Sequence, residues 1–365
     1  MQQGLVKNIR AAGCALIYEP APHCHYACLK KGPGMIRIGI LGAAKIAPLA
    51  IIEPARRRTD CRVVAVAARD AGRAAAYAEK YGIQHVAESY DALIARDDVD
   101  LIYNALPPNR HADLTVAALK AGKAVLCEKP FAMNADEAMA MTRAAEEMGR
   151  PLVEAFHYRF HPAFLHALGH IRSGHVGKIL SMEAAFSVPI PYRPGELRHT
   201  LETGGGALMD LGTYCVHMVR TMAGAEPSVA SAECHCDQPG VDISTHARMV
   251  FPGDVTASIM TSMAETVSRR LQLHVEGTKG SLTFNNPIHP SHGHKIILQQ
   301  HGQPERTETI PGDSTYDHQL AHMVDVLAGR AGPLTGGEDA VANMRVIDAI
   351  YRSAGLSPRG SNAAS

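Results

Sequence analysis

The sequence contains no tryptophan and only 5% aromatic residues, so a folded core has to be built mainly from aliphatic side chains. It also lacks an excess of either charge, because 36 basic residues balance 36 acidic ones without a Lys/Arg-rich block. That balance argues against a nucleic-acid partner. No apolar run approaches the roughly 20 residues that cross a bilayer, which argues against a membrane partner.

Cysteine is scattered, and its eight positions show no disulfide framework. Cys234 and Cys236, with one residue between them, are too close for a standard zinc pair. Reduced thiols of this kind are typical of a cytoplasmic protein, and we expect that location. Residues 1–34 hold three of the eight cysteines and differ from the rest of the chain. We interpret them as an extension, either disordered or the product of an upstream start, because Met35 directly precedes the first predicted strand.

Short apolar runs alternate with helical patterns up to about residue 156, beginning with a strand pattern at 36–41 and a helical pattern at 43–58. Such alternation with short connections predicts an α/β, doubly wound Rossmann domain at 35–156, with a parallel sheet covered on both faces. After that point, alternating strand patterns separated by turn signals such as PGD and GTKG predict an antiparallel sheet. We expect residues 157–365 to form an α+β domain.

The string IRIGILGAAKIAP, residues 36–48, ends a strand at Gly42 and leads into a small-residue segment. The dinucleotide fingerprint G-x-G-x-x-G has its second and third glycines where this chain has Ala44 and Ala47. A methyl group at Ala44 points toward the expected pyrophosphate, yet a helix N-terminus still offers free N–H groups. The turn predicts dinucleotide binding, and a plain strand-to-helix turn is the alternative.

The second predicted strand ends in the sequence Ala67-Ala68-Arg69-Asp70. NAD sites usually place an acid at this strand end to bind the ribose 2′-hydroxyl, whereas a nearby arginine suits a 2′-phosphate. No acid stands at Ala68, and Arg69 follows it, so the sequence favours NADP. Asp70, one residue further on, keeps NAD open.

Two further strings predict a proton-transfer pair. CEKPFAMN follows the fourth predicted strand and places Lys129 at the carboxyl edge of the sheet, where ligands bind. GGGALMDLGTY places Asp210 and Tyr214 at i and i+4, on one helix face. A nearby lysine lowers the pKa of a tyrosine by favouring the phenolate, so Lys129 and Tyr214 together predict acid–base chemistry. The alternative is a core tyrosine capped by Asp210.

The strings RIGILGAAKIAP, DVDLIYNALP, CEKPFA, EAFHYRFHP and GGGALMDLGTY occur in this order along the chain. Together they resemble the Gfo/Idh/MocA oxidoreductases, and within them the branch of glucose–fructose oxidoreductase, D-xylose dehydrogenase and trans-dihydrodiol dehydrogenase. The resemblance spans about residues 35–359. It implies a Rossmann domain followed by a substrate-binding domain with an open antiparallel sheet. It also implies hydride transfer between NAD(P) and a small sugar-like hydroxyl compound, without a metal, in a homodimer or homotetramer.

The resemblance also implies roles for particular residues. The catalytic residues it implies are Lys129, Tyr214 and Asp210. The cofactor is expected at Gly42, Ala43, Ala44, Lys45, Ile46, Arg69, Leu106, His111, Glu128 and Lys129. The substrate is expected at Lys129, His157, Arg198, Asp210 and Tyr214.

The chain departs from the branch at two positions. Pro108 replaces an asparagine common in the loop before His111, and Ala68 replaces a serine at the ribose end. The second change removes one phosphate hydrogen bond and weakens the NADP preference without reversing it. Two alternatives to a sugar dehydrogenase stay open. One is an NAD-dependent glycosidase-type relative, and the other is a non-catalytic regulator that senses nucleotide and sugar.

Overall fold

A computed structural model describes residues 34–361, so the predicted extension at 1–34 lies outside the described residues except for Gly34. The strands of the first sheet are β1 Ile36–Leu41, β2 Cys61–Ala67, β3 His85–Val86, β4 Leu101–Asn104, β5 Ala124–Cys127 and β6 Leu152–Glu154. The helices that alternate with them are α1 Glu53–Arg56, α2 Ala71–Tyr81, α3 Tyr90–Ile94, α4 His111–Lys120 and α5 Ala135–Met148.

The first sheet is parallel throughout, with strand order β3-β2-β1-β4-β5-β6. The predicted doubly wound α/β domain is therefore confirmed. The order reverses between β1 and β4, and a crevice for ligands forms beyond the carboxyl ends of strands at such a point. Ile38 and Ile40 of β1 are fully buried, and burial of each side chain contributes roughly 1.5–3 kcal/mol to folding.

The described residues after β6 build a second sheet and, besides short 3₁₀ and π turns, four further helices. Its strands are β7 Ile179–Ser187, β8 Ser228–Gln238, β9 Val241–Phe251, β10 Val255–Ser262, β11 Arg270–Gly277, β12 Gly280–Asn285, β13 Lys295–Gln300 and β14 Arg306–Glu308. The helices are α6 Pro162–Arg172, α7 Thr213–Ala223, α8 Thr315–Leu327 and α9 Glu338–Ser353.

The second sheet has the order β14-β13-β12-β11-β7-β10-β9-β8 and two free edges. Its pairs are antiparallel except for β7 with β10, which run parallel. The predicted antiparallel α+β domain is confirmed with that one refinement. The edge strand β14 was not predicted, because three exposed or half-buried residues carry no hydrophobic alternation.

Helix α8 packs against the first sheet although it follows the second in the chain. Tyr316, Leu320 and Met323 share a hydrophobic cluster with Ile38 and Ile40 of β1. The contact brings the start of α8 close to the carboxyl-edge loops of the first sheet. A residue of this late segment thereby reaches the candidate site described below.

One helix start differs from the sequence prediction. The helix predicted at 43–58 begins only at Pro48, where a π-helical turn over Pro48–Ile52 leads into α1. The second π turn, Leu208–Gly212, precedes α7 and carries Asp210. Such turns often occur at functional sites. Within residues 34–361, no helix combines the length and the apolar character that crossing a membrane requires.

Candidate active site

The turn after β1 has a backbone conformation that strongly favours glycine. Gly42 has a φ of +97°, and a Cβ at this position would lie 3.0 Å from a methyl carbon of Leu106. Leu106 follows β4, so the turn brings the ends of β1 and β4 together at the strand reversal. These two predicted cofactor residues therefore line the same crevice.

The backbone carbonyl groups of the two alanines after Gly42 accept hydrogen bonds from side chains of α2. The carbonyl of Ala43 accepts a hydrogen bond from Arg73 Nη2 at 2.8 Å, and that of Ala44 accepts one from the Tyr77 hydroxyl at 3.1 Å. Ala44 stays half-buried, as does Ile46 a little further on. Contacts from α2 thus hold the shape of a turn in which two of the three fingerprint glycines are missing.

Two cations at this edge are free to bind an anion. Lys45 and Arg69 are exposed, and neither forms a hydrogen bond or an ion pair with another residue in the range 34–361. Asp70, by contrast, caps α2, because its Oδ1 accepts a bond from the Arg73 amide at 2.6 Å. A carboxylate engaged in this way is less available to a ribose hydroxyl, whereas a free guanidinium suits a 2′-phosphate. The residues present therefore fit a dinucleotide that carries a 2′-phosphate on its ribose.

His111 has its imidazole inside the protein rather than in the crevice. The ring is buried, with Nε2 2.8 Å from the Leu106 carbonyl and Nδ1 3.0 Å from the Pro130 carbonyl. Burial lowers the pKa of His111, although the backbone contacts oppose that shift. Each ring nitrogen faces a carbonyl oxygen, and the one that carries the proton donates to it, so His111 lies between the loop after β4 and the loop that carries Lys129.

Glu128 directly precedes Lys129, and its side chain is almost fully buried. Its Oε1 accepts a hydrogen bond from the Tyr103 hydroxyl at 2.6 Å, and its Oε2 faces the Lys129 amide at 3.3 Å. Burial raises the pKa of Glu128, while the Tyr103 bond and the Lys129 charge oppose that rise. Through these two contacts, Glu128 connects the backbone at Lys129 to Tyr103 of β4.

Lys129, Asp210 and Arg198 form one connected ionic chain. Lys129 Nζ donates to Asp210 Oδ1 at 2.7 Å and to the Asp210 carbonyl at 3.0 Å. Arg198 Nε donates to the other carboxylate oxygen of Asp210 at 2.7 Å. Burial opposes ionisation of Asp210, but the two cations outweigh it and lower its pKa to about 2. The carboxylate therefore stays ionised and holds both cations at the carboxyl edge of β5.

Tyr214 lies beside this chain, but its acidity differs from the sequence prediction. Lys129 Nζ lies 5.0 Å from the centre of the Tyr214 ring, over its face rather than beside its hydroxyl, and is already paired with Asp210. Burial raises the pKa of Tyr214 well above its ordinary value of 10, and the charges of Glu128 and Asp210 add to that rise. The expectation that Lys129 lowers this pKa is therefore wrong.

The hydroxyl of Tyr214 contacts an imidazole instead. It lies 3.3 Å from His157 Nε2, and His157 Nδ1 lies 2.8 Å from Thr315 Oγ1 at the start of α8. The His157 ring also packs on the rings of His289 and Tyr316, with centroids 5.3 and 4.3 Å away. Burial lowers the pKa of His157 well below its ordinary value, and the positive charge of Lys129 adds to that effect. Burial therefore favours the neutral form of His157, and its Nε2 lies within hydrogen-bonding distance of the Tyr214 hydroxyl.

A buried polar network holds the glycine-rich approach to Asp210 in place. A Cβ on Gly206 would lie 2.2 Å from Asp242 Oδ1, and Arg359 Nε donates to the Gly205 carbonyl at 2.8 Å. Asp242 in turn accepts a bond from the Leu208 amide, which begins the π turn, at 2.8 Å. The glycines are therefore required for close packing.

The structure brings together five of the predicted site residues: Lys129, His157, Arg198, Asp210 and Tyr214. Gly42, Leu106 and His111 form a second group at the strand reversal. Sequence reasoning missed Thr315 and the Asp242–Arg359 pair. Ser314-Thr315 is visible only as a helix N-terminus, and no local signal relates it to a residue 158 positions earlier.

Two family models match consecutive parts of the chain. Residues 36–156 match an oxidoreductase family with an NAD-binding Rossmann fold, and residues 164–283 match the GFO/IDH/MocA C-terminal domain. The first range ends two residues after β6, and the second covers most of the second sheet. The first matched range therefore contains the whole first sheet, and the second contains the second sheet up to β12, without β13 and β14.

Individual proteins are similar over most of their length. D-xylose 1-dehydrogenase (NADP(+)) 2 of Haloferax volcanii is 33% identical over 318 residues, which are 87% of this chain and 96% of that protein. Trans-1,2-dihydrobenzene-1,2-diol dehydrogenase of Mus musculus is 34% identical over 248 residues, which are 67% of this chain and 73% of that protein. KijD10, a 3-ketoreductase from Actinomadura kijaniata solved with NADP and TDP-benzene, superposes with a TM-score of 0.81 at 27% identity over 88% of this chain and 98% of that one.

Proposed function

This chain belongs to the Gfo/Idh/MocA oxidoreductase family, and we propose that it is an NADP-preferring dehydrogenase of a sugar or a closely related polyhydroxy compound. The observation that carries the proposal is the contact chain from Arg198 through Asp210 and Lys129 to Tyr214 and His157. It combines two cations, a carboxylate and a proton-transfer pair at the edge where a dinucleotide binds. Such a set of charged and hydrogen-bonding groups suits a substrate that carries several hydroxyl groups.

The preference for NADP rests on the ribose end of the crevice. Arg69 and Lys45 are free cations, and Asp70 is engaged in capping α2. The similar D-xylose dehydrogenase is NADP-dependent by its name, and KijD10 was solved with NADP. Bound at this edge, the nicotinamide supplies the hydride acceptor or donor. A tighter Kd for NADP+ than for NAD+, with the difference reduced in Arg69→Ala, tests this assignment.

We assign the proton step to Tyr214 and His157 together. Oxidation of a hydroxyl group removes a hydride and a proton from the substrate, leaving a carbonyl group. Burial disfavours a lasting charge on either side chain, so the proton is relayed: the Tyr214 oxygen accepts the substrate proton as its own proton moves to His157 Nε2. In the tautomer that this relay uses, His157 Nδ1–H donates a hydrogen bond to Thr315 Oγ1, which leaves the Nε2 lone pair as the proton acceptor. In carbonyl reduction each proton moves in the opposite direction.

Lys129 and Asp210 act on the oxygen rather than on the proton. The ammonium group of Lys129 stabilises the negative charge that develops on the reacting oxygen as the proton leaves. Asp210 keeps the ammonium oriented, and with Arg198 it offers hydrogen bonds to neighbouring hydroxyl groups of the substrate. Lys129 Nζ uses two of its three N–H groups on Asp210, so the third is available to the reacting oxygen of the substrate.

The two alternatives from the sequence have less support. Both the relatives and the solved structure named above are dehydrogenases or reductases by name. A non-catalytic sensor does not need a tyrosine–imidazole contact, yet the chain builds one from residues 57 positions apart. The cytoplasmic location and the homodimer or homotetramer stay predictions.

The direct test is reduction of NADP+ and NAD+ in the presence of aldoses, inositols and aromatic dihydrodiols. Once a substrate is found, Tyr214→Phe and Lys129→Met should lower kcat by about 10²–10⁴-fold while NADP+ binding is retained. Tyr90→Phe is the matched control, because Tyr90 has no hydroxyl hydrogen bond among the described residues and should keep the full rate. Near-normal kcat in either site variant would contradict the assigned roles.

A further inference from the structure

A cluster of two histidines and a glutamate lies outside the contacts of the candidate active site. His166 and His170 are i and i+4 on α6, so their rings share one face, and Glu308 comes from the edge strand β14. Glu308 Oε2 lies 2.6 Å from His166 Nε2 and 3.0 Å from His170 Nε2, and the two nitrogens are 3.1 Å apart. Across residues 34–361, this is the one group of three metal-capable side chains whose ligand atoms converge within 4.8 Å.

Hydrogen bonds alone cannot satisfy all three of these side chains at once. If both Nε2 atoms are protonated and donate to Glu308, the two N–H groups crowd each other across 3.1 Å. If one nitrogen accepts from the other, it gives up its bond to the carboxylate, because a neutral imidazole has a single N–H. A cation placed between the three atoms instead receives a lone pair from each of them.

We propose that His166 Nε2, His170 Nε2 and Glu308 Oε2 bind a divalent transition-metal cation of the zinc class, with water in the remaining position. Imidazole nitrogens suit zinc, copper and nickel, whereas magnesium and calcium prefer oxygen ligands. Tetrahedral zinc with bonds of about 2.0–2.1 Å separates its ligand atoms by about 3.4 Å. The observed separations of 2.6–3.1 Å need only a small expansion, and the exposed His166 ring has room to move.

The surroundings orient the carboxylate for this task. Arg306 Nη2 lies 3.0 Å from the other oxygen of Glu308, so that Oε2 is turned toward the histidines. Outer contacts of this kind commonly position metal ligands. His170 is buried and His166 is exposed, which gives the site one rigid ligand and one adaptable ligand.

Binding at this site would stabilise the edge of the second sheet that β14 forms. The strand β14 has three residues and pairs with β13 alone. A cation held by α6 and β14 would join segments 138 residues apart in the chain. The site is therefore a structural tether, and the hydride-transfer chemistry proposed above does not depend on it.

The test uses the full-length, tag-free protein after treatment with a chelator, titrated with Co²⁺ and Zn²⁺. We expect visible Co²⁺ absorption bands typical of nitrogen and oxygen ligation, displacement of Co²⁺ by Zn²⁺, and a higher unfolding midpoint with Zn²⁺. Glu308→Gln and His166→Gln should each weaken binding by more than about 10-fold, the lower end of the loss for outer contacts. His246→Gln, which removes an exposed histidine of β9, is the matched control and should bind as the unmodified chain does.

The same measurements identify the result that overturns the proposal. If Co²⁺ binds equally to all four proteins, the ion is held elsewhere, for example by the histidines and cysteines at 23–28. If no protein binds Co²⁺ or Zn²⁺, the cluster is an ion pair of histidine and glutamate only. Either outcome excludes the metal site, and neither bears on turnover with NADP+.

Discussion

Replacement of Asp242 by asparagine tests the buried network that holds the approach to Asp210. Both oxygens of Asp242 are saturated: Oδ2 accepts from Leu208 N at 2.8 Å and Thr245 Oγ1 at 2.7 Å. Oδ1 accepts from the Tyr351 hydroxyl and from Arg359 Nη2, both at 2.8 Å. Asp242 is fully buried and Arg359 is 2% exposed, so the water that could replace a lost partner is excluded.

The expected loss follows from these contacts. Asparagine has the same shape, but it substitutes an N–H₂ donor for one acceptor oxygen and leaves the Arg359 guanidinium without its counter-charge. Breaking one partner of a buried ion pair destabilises a protein by about 3–5 kcal/mol. Burial raises the pKa of Asp242 while Arg359 opposes that rise, so the pair is vulnerable to losing either charge. We expect Asp242→Asn to lower the free energy of unfolding by about 4 kcal/mol.

Urea unfolding measures this loss, with Asp325→Asn as the matched control. Asp325 pairs with Arg330 at 2.6 Å, a shorter distance than the Asp242 pair, but both side chains are about half exposed. An exposed pair of this kind contributes about 0–1 kcal/mol. If the two variants unfold within about 1 kcal/mol of each other, burial does not decide the strength of the Asp242 pair and our reasoning is refuted.

Two further predictions concern Asp348 and His157. Burial raises the pKa of Asp348 to about 6, and its Oδ1 is buried without a hydrogen-bond partner in the described part of the chain. Because the folded pKa exceeds the unfolded value of about 3.9, Asp348 opposes folding increasingly as pH rises from about 4 to about 6, and the penalty levels off above that pH. Asp348→Asn should therefore abolish a loss of up to about 3 kcal/mol between pH 4 and pH 7, measured by urea unfolding at both pH values, and an unchanged difference contradicts this. His157→Gln keeps a polar side chain beside Tyr214 but no proton acceptor of comparable basicity, so kcat should fall at least about 10²-fold while KM changes little. An equal fall in Thr315→Val would indicate that ring orientation, rather than proton acceptance, is what His157 supplies.

Much of the fold and part of the site were predictable because local patterns determine them. The alternation of apolar runs and helical patterns identified the parallel sheet, since a buried parallel strand needs a continuous apolar run. Lys129 was recognisable because it stands two residues after such a run, and Asp210 and Tyr214 because their four-residue spacing predicted one helix face. The start of the first helix was not predictable to the residue, since a π turn at Pro48 depends on packing.

The sequence alone therefore determined the two sheets, the cofactor edge and the identity of the polar residues near it. Only the tertiary structure decided their chemistry. Tyr214 keeps its proton because burial and two carboxylates outweigh a lysine whose charge is already paired with Asp210. The Thr315 contact and the His166–His170–Glu308 cluster join residues more than 130 positions apart. Contacts across such separations depend on chain topology, and pKa values depend on burial, and neither is encoded in local spacing.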